Sequence, residues 1–153
     1  MTSVVLSCIF GWTGINRSAM GVLGAGQRLA QDLACKHVGL MVGPVSEANI
    51  AEAAKFANSL AIADHPQLNC NDGETTLNAL NEACRQLHPK AVLFSNESYC
   101  QELVPRLAHR LGGSAAGDAL SLNGQDENVM VTRTVYGGKA QATVELRRSP
   151  AVI

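Results

Sequence analysis

Lys90-Ala91-Val92-Leu93-Phe94-Ser95, then Asn96-Glu97, then Ser98-Tyr99-Cys100-Gln101-Glu102-Leu103-Val104-Pro105-Arg106-Leu107-Ala108-His109-Arg110-Leu111 and Gly112-Gly113, is the stretch on which the fold turns. A short apolar run with polar residues only at its carboxyl end reads as a strand buried on both faces, the habit of a parallel sheet. Glu97 to Leu111 reads as a helix, and Gly112-Gly113 is its stop. Strand, polar strand end and helix make one β–α unit.

The same unit recurs toward the N-terminus. Ser3 to Phe10 is a buried strand stopped by Gly11, and Ser18 to Ala34 a helix capped at Ser18. Within it, Gly21-Val22-Leu23-Gly24-Ala25-Gly26 weakens helix propensity by about 1 kcal/mol per glycine, a cost compatible with close packing on a sheet. Lys36 to Val42 is the second strand, and a helix capped by Ser46 runs to about Asn58. Leu60 to Ala63 is the third strand, Asp72-Gly73 a turn, and Thr75 to Leu87 a helix ended by Pro89.

Beyond Gly113 the pattern changes. Ala115 to Leu122, Val129 to Tyr136 and Lys139 to Leu146 are strand-like, with Gly137-Gly138 as a two-residue hairpin turn. Gln141 to Leu146 alternates cleanly, so one face meets water. Arg147 to Ile153 begins a further strand and stops, as a domain cut from a longer protein would. The expected fold is therefore α/β: three layers, α/β/α, with a mainly parallel sheet and a C-terminal antiparallel hairpin extension. Residues 1–153 form a single domain in this reading.

Composition narrows the function. The chain has 153 residues, 46% hydrophobic and 16% charged, with net charge −1, which excludes disorder and any basic field for nucleic acid. No apolar run approaches the roughly 20 residues that span a bilayer, and no basic signal precedes Val4, so a cytoplasmic location is expected. The five cysteines, Cys8, Cys35, Cys70, Cys84 and Cys100, are widely spaced without a CxxC, which suits buried thiols in a reducing compartment rather than zinc.

Ligands of such sheets bind beyond the carboxyl ends of the strands. Gly11, Gly14 and Ser95-Asn96 are the candidate phosphate contacts there. Gly21, Gly24 and Gly26 have the wrong spacing for a dinucleotide fingerprint and lie inside a helix. No GxxxxGK[ST] and no GxSxG occurs. His65 is a candidate general base in a strand-end loop, and Cys100 a candidate low-pKa thiol in the first turn of a helix. His37 and His88 read as exposed. Arg133, Tyr136 and Lys139 gather at the hairpin, where an anion site is possible but a solvated turn or a protein interface is favoured. Trp12 is either a binding anchor or a packing residue over the sheet edge, the second favoured.

Two segments resemble a known family. Val92 to Gly112 resembles the strand and helix of the electron transfer flavoprotein α subunit, where a Leu-x-Pro-Arg-x-Ala run matches Leu103-Val104-Pro105-Arg106-Leu107-Ala108. Thr132-Arg133-Thr134-Val135-Tyr136-Gly137-Gly138-Lys139-Ala140 resembles the family's Arg-Pro-x-Tyr/Phe-Ala/Gly-Gly-Asn/Lys-Ala hairpin, and Gly117-Asp118-Ala119 stands where the family has a Ser/Thr-Asp pair. The resemblance implies an N-terminal domain of the adenine nucleotide α-hydrolase group, in an αβ heterodimer that carries FAD. It implies a β subunit as partner, acyl-CoA or other dehydrogenases as electron donors and a quinone reductase or similar acceptor. The family's FAD contacts lie in a C-terminal domain absent here, so no catalytic, cofactor-binding or metal-binding residue is assigned. Cys100-Gln101 replaces the family's Gly-Arg/Lys. Pro105, Arg106, Arg133, Tyr136, Gly137 and Gly138 carry over structurally, Arg106 as a fixed charge for a partner. The alternatives are a free-standing adenine-nucleotide-binding domain using Gly11 and Ser95, and a small hydrolase or transferase using His65 or Cys100.

Overall fold

The computed structural model describes residues 3–69 and 72–153, so Cys70 lies outside the described residues. Four β–α units follow one another as expected: β1 (Val4–Phe10), α1 (Arg17–Asp32), β2 (Lys36–Val42), α2 (Glu47–Ala53), β3 (Ser59–Ala63), α3 (Gly73–Leu87), β4 (Pro89–Leu93) and α4 (Ser98–Leu111). Five strands then follow, β5 (Ser114–Ala115), β6 (Ala119–Gln125), β7 (Asn128–Val135), β8 (Ala140–Leu146) and β9 (Ala151–Val152).

The caps explain where the helices begin. Asn16, not Ser18, starts α1, because its side chain already accepts the Ala19 N–H at 2.9 Å. Ser46 caps α2 as expected, its hydroxyl accepting the Asn49 N–H at 3.2 Å. That helix ends at Ala53 rather than near Asn58, and Phe56 and Ala57 then pack against the buried cluster of Ile9, Leu23 and Met41. Asp72 caps α3 with bonds of 2.9 Å from the Thr75 N–H and 2.6 Å from its hydroxyl. Gly112 closes α4 in the left-handed region, φ 67°.

The main sheet has six strands in the order β3-β2-β1-β4-β9-β5, with every neighbouring pair parallel. Strand order reverses between β1 and β4. Right-handed crossovers on either side of that point put helices on opposite faces. Leu77 and Leu80 of α3 and Leu103 and Leu107 of α4 pack with Leu6, Cys8, Val38 and Leu40 on one face. Val22 and Leu29 of α1 pack with Val5 and Leu93 on the other. Full burial of each such leucine is worth about 1.5–3 kcal/mol.

The C-terminal antiparallel part stands as its own three-stranded sheet, β6-β7-β8, rather than a hairpin added to the main one. The stretch expected as one strand over 115–122 is divided: its start belongs to β5 in the main sheet and its far half opens β6, which runs on to Gln125. Val129 and Val131 of β7 fasten the three-stranded sheet over Ala91, Leu93, Ala151 and Ile153. The two-residue turn is Asp126-Glu127, with φ of 49° and 69° between the paired Gln125 and Asn128. Gly137-Gly138 belongs instead to a four-residue connection, since Val135 pairs with Ala140.

Ser7 and His37 form a polar pair inside the core. Ser7 Oγ donates to the Val22 carbonyl at 3.0 Å and lies 2.9 Å from His37 Nε2. His37 is therefore buried, not exposed as its place at a strand start suggested, because α1 crosses above it. A Cβ on Gly26 would stand 2.0 Å from Ser7 Oγ, so this is the helix glycine that close packing demands. Burial holds the His37 imidazole below its ordinary pKa.

Candidate functional site

The carboxyl edge of the sheet, where a ligand is expected, is divided into a filled half and an open half. Aromatic rings occupy the first. Phe10 ends β1 and stacks on Trp12 with ring centroids 4.6 Å apart; Tyr99 of α4 meets Phe10 edge-on at 5.2 Å and Trp12 at 6.0 Å. Trp12 is thus a packing residue over the sheet edge. The loop glycines serve the same packing. A Cβ on Gly11 would lie 1.9 Å from the Pro44 carbonyl oxygen, and one on Gly43 2.8 Å from the Trp12 ring. Gly11 is therefore taken up by protein, and the phosphate cradle expected from it with Ser95 loses that side.

Beside the rings, the Tyr99 hydroxyl donates to the Glu97 carboxylate, and the Ser95 hydroxyl donates to the same oxygen at 3.1 Å. Ser95 Oγ also lies 3.5 Å from Cys100 Sγ. Burial pushes the Tyr99 hydroxyl and the Cys100 thiol up. Cys100 is fully buried, so the helix position that suggested a reactive thiolate holds a protonated, enclosed thiol. His65 is exposed beyond β3, with β2 and β1 between its strand and β4, and its Nδ1 accepts the Gln67 N–H at 3.2 Å. No hydrogen bond joins it to a nucleophile among the described residues. The same residues contain no group of His, Cys, Asp and Glu able to hold a metal ion.

The open half is a cavity of about 570 Å³ between α1, the start of α4, β6 and the ends of β4 and β9. That lies within the range of small-molecule sites, roughly 300–1,000 Å³. Val22, Leu93, Val104 and Ile153 give it apolar walls, and its polar lining includes Ser95, Asn96, Gln101, Arg28, Arg133 and the carboxylate of Asp118. Gly21 of α1 faces it, and a Cβ there would meet nothing within 4 Å. A mid-helix glycine costs about 1 kcal/mol relative to alanine, and here no neighbour requires it. Arg133 Nη2 stands 3.8 Å from Asp118 Oδ2, while its Nε is buried without a hydrogen-bond partner. Arg28 makes no ion pair among the described residues. Sequence reasoning singled out Ser95 and Asn96 as strand-end ligand contacts and Arg133 as an anion contact at the hairpin, but did not place Gly21, Arg28 or Asp118 here; the one available signal was a glycine in a helix.

Arg133 is turned toward this cavity, so it does not form one cluster with the hairpin tip. Tyr136 stands at that tip 82% exposed with φ 52°, followed by Gly137, Gly138 and exposed Lys139. Arg106 is also engaged differently from expectation. Its guanidinium pairs with Glu74 of α3 and, at 2.8 Å, with Glu102. Arg110 pairs with Glu74 as well and bonds Asn78 at 2.5 Å. Arg106 therefore ties α4 to α3 and is not a free charge held out to a partner. Arg110 and Arg106 together hold the Glu74 carboxyl below its usual range.

The doubly wound type of dinucleotide site has a glycine-rich turn leading from a strand onto an open helix N-terminus. Here the turn glycine is filled by Pro44, the Asn16 side chain caps α1, and Gly21, Gly24 and Gly26 are helical. The residues present do not form a dinucleotide site of that type.

Residues 13–153 match the family model described as "Electron transfer flavoprotein domain". The electron transfer flavoprotein subunit alpha of Bacillus subtilis (strain 168) is 26% identical over 104 residues, 67% of this chain and 32% of that protein. Protein FixB of Clostridium saccharobutylicum is 26% identical over 133 residues, 85% of this chain and 40% of its own. The acryloyl-CoA reductase electron transfer subunit beta of Anaerotignum propionicum is 22% identical over 148 residues, 80% of this chain and 40% of its own. The chain thus spans between about a third and two fifths of the length of the curated relatives it matches.

Proposed function

The chain belongs to the electron transfer flavoprotein domain family, and from that premise we propose that it serves electron transfer as the N-terminal scaffold and interface domain of an α-type subunit. In this reading residues 1–153 are one domain of a cytoplasmic αβ heterodimer. The β subunit is its partner, FAD is held elsewhere in the assembly, and dehydrogenases and a quinone reductase or similar acceptor stand on either side. The flavin supplies the electron chemistry; this chain supplies rigidity and contact surface, and is a carrier component rather than an enzyme.

The observation that carries the reading is the second sheet. It is fastened through Val129 and Val131, while Tyr136 projects at its tip in a left-handed conformation that disfavours a side chain. An exposed aromatic at a strained position suits an interface anchor. No helix among the described residues is long and apolar enough to cross a membrane.

The test is co-expression with the cognate β subunit. A one-to-one complex in size-exclusion chromatography, weakened about tenfold or more by Tyr136→Ala as an interface anchor, is the expected result. Two proteins that elute separately at micromolar concentration contradict it.

A further inference from the structure

We propose that the cavity between α1, α4 and β6 binds a small organic anion, its carboxylate or phosphate head on Arg133 and its apolar body against Val22, Leu93 and Val104. This inference does not rest on the electron-transfer reading. Three observations meet at one place. The first is volume: about 570 Å³ lies open to one side of the sheet edge while the other side is packed with rings. The second is Gly21, an exposed helical glycine at the cavity's mouth whose added Cβ would touch nothing, so that no packing contact requires the missing side chain.

The third is the state of Arg133. Its side chain lines the cavity about one third exposed, and Asp118 reaches its Nη2 only at 3.8 Å, too far for a good hydrogen bond. Terminal guanidinium nitrogens without a close partner bind a carboxylate or phosphate head strongly, because two parallel N–H groups fit two oxygens. Asp118, more than half exposed, is an internal carboxylate that an incoming head group displaces. Arg28 on the opposite wall, without an ion pair among the described residues, adds to the positive field.

The experiment is calorimetric titration of this chain with four probes: hexanoate, hexyl phosphate, hexanol and inorganic phosphate. Saturable binding of hexanoate or hexyl phosphate, with hexanol and inorganic phosphate at least about tenfold weaker, is expected, since body and head each add a separable part of the affinity. The two hexyl anions differ only in their heads, so whichever binds more tightly names the head group. Arg133→Gln weakens binding about tenfold or more, the range of a charge-assisted hydrogen bond. Asp118→Asn tightens it, because the internal competitor loses its charge; asparagine tolerates the φ of 55° at that position. Gly21→Leu fills the space and abolishes binding while raising the melting temperature, which separates blockage from misfolding. No saturable binding by either anion overturns the proposal. So do hexanol binding as tightly as hexanoate, and affinities unmoved by both Gly21→Leu and Arg133→Gln.

Discussion

The two halves of the sheet's carboxyl edge use the same residue type for opposite ends. Over β1 and β2, Gly11 and Gly43 let a carbonyl and an indole ring come within distances no side chain allows, and the edge is solid. Over β4 and β9, Gly21 faces open space, and the edge is hollow. Gly26, five residues along the same helix, belongs with the first pair, because Ser7 and His37 fill its place. A glycine inside a helix therefore carries no single meaning; what a Cβ would meet decides it.

Substitutions at these sites break or sharpen that contrast. The largest effect is expected from Trp12→Ala. Truncating a core aromatic costs about 3–5 kcal/mol; Trp12 is half-buried, so about 3 kcal/mol, the low end, is expected as the stack shared with Phe10 and Tyr99 opens. A urea midpoint unchanged from wild type removes the filled half of the comparison. Gly26→Ala comes next, with a loss of about 1–3 kcal/mol for an overpacked core, because Ser7 Oγ or the helix must shift. Gly21→Ala has the opposite sign: a gain of about 1 kcal/mol from helix propensity, read as a raised midpoint without a change in the denaturant slope. If the two alanine variants move stability in the same direction, the distinction between these glycines fails.

The smallest effect depends on pH. His37 has its folded pKa lowered by burial below the ordinary 6.5, so the unfolded chain binds more protons in that window. The stability gained from keeping His37 neutral is present in full above 6.5 and is lost as pH falls through the folded pKa. Urea midpoints that decline from neutral pH toward 5 in the wild type, but less in His37→Gln, are expected. Equal declines assign the effect to other groups.

The repeated β–α pattern was legible because each unit carries its own local signal: an apolar run, a polar strand end, a cap, a glycine stop. Ser46 and Gly112 act as their positions suggest. The signals that failed were long-range ones. Nothing near His37 tells that α1 will lie across it; the strands expected within 147–153 and from Ala115 are present, but each is cut to two residues and is held in the sheet by β9 or β4. The independence of the second sheet follows from Val129 and Val131 packing on residues as distant as Ala91 and Ile153.

The cavity was hidden for the same reason. Gly21, Gln101, Asp118 and Arg133 come from four elements and connections, and no spacing relates them. Arg106 shows the converse. Its position on the helix was visible, but its partners Glu74 and Glu102 are a matter of how α3 lies beside α4, and they turn a candidate contact for another subunit into an internal tie.

The central claim is that this chain is the scaffold of a flavoprotein assembly and holds no flavin itself. It is tested most directly by measuring FAD per chain, by absorbance and released-flavin assay, in the chain purified alone and again with its β subunit. The account predicts a colourless chain alone and no FAD gained by it on incubation with excess cofactor. Stoichiometric yellow FAD bound to the isolated chain would contradict it.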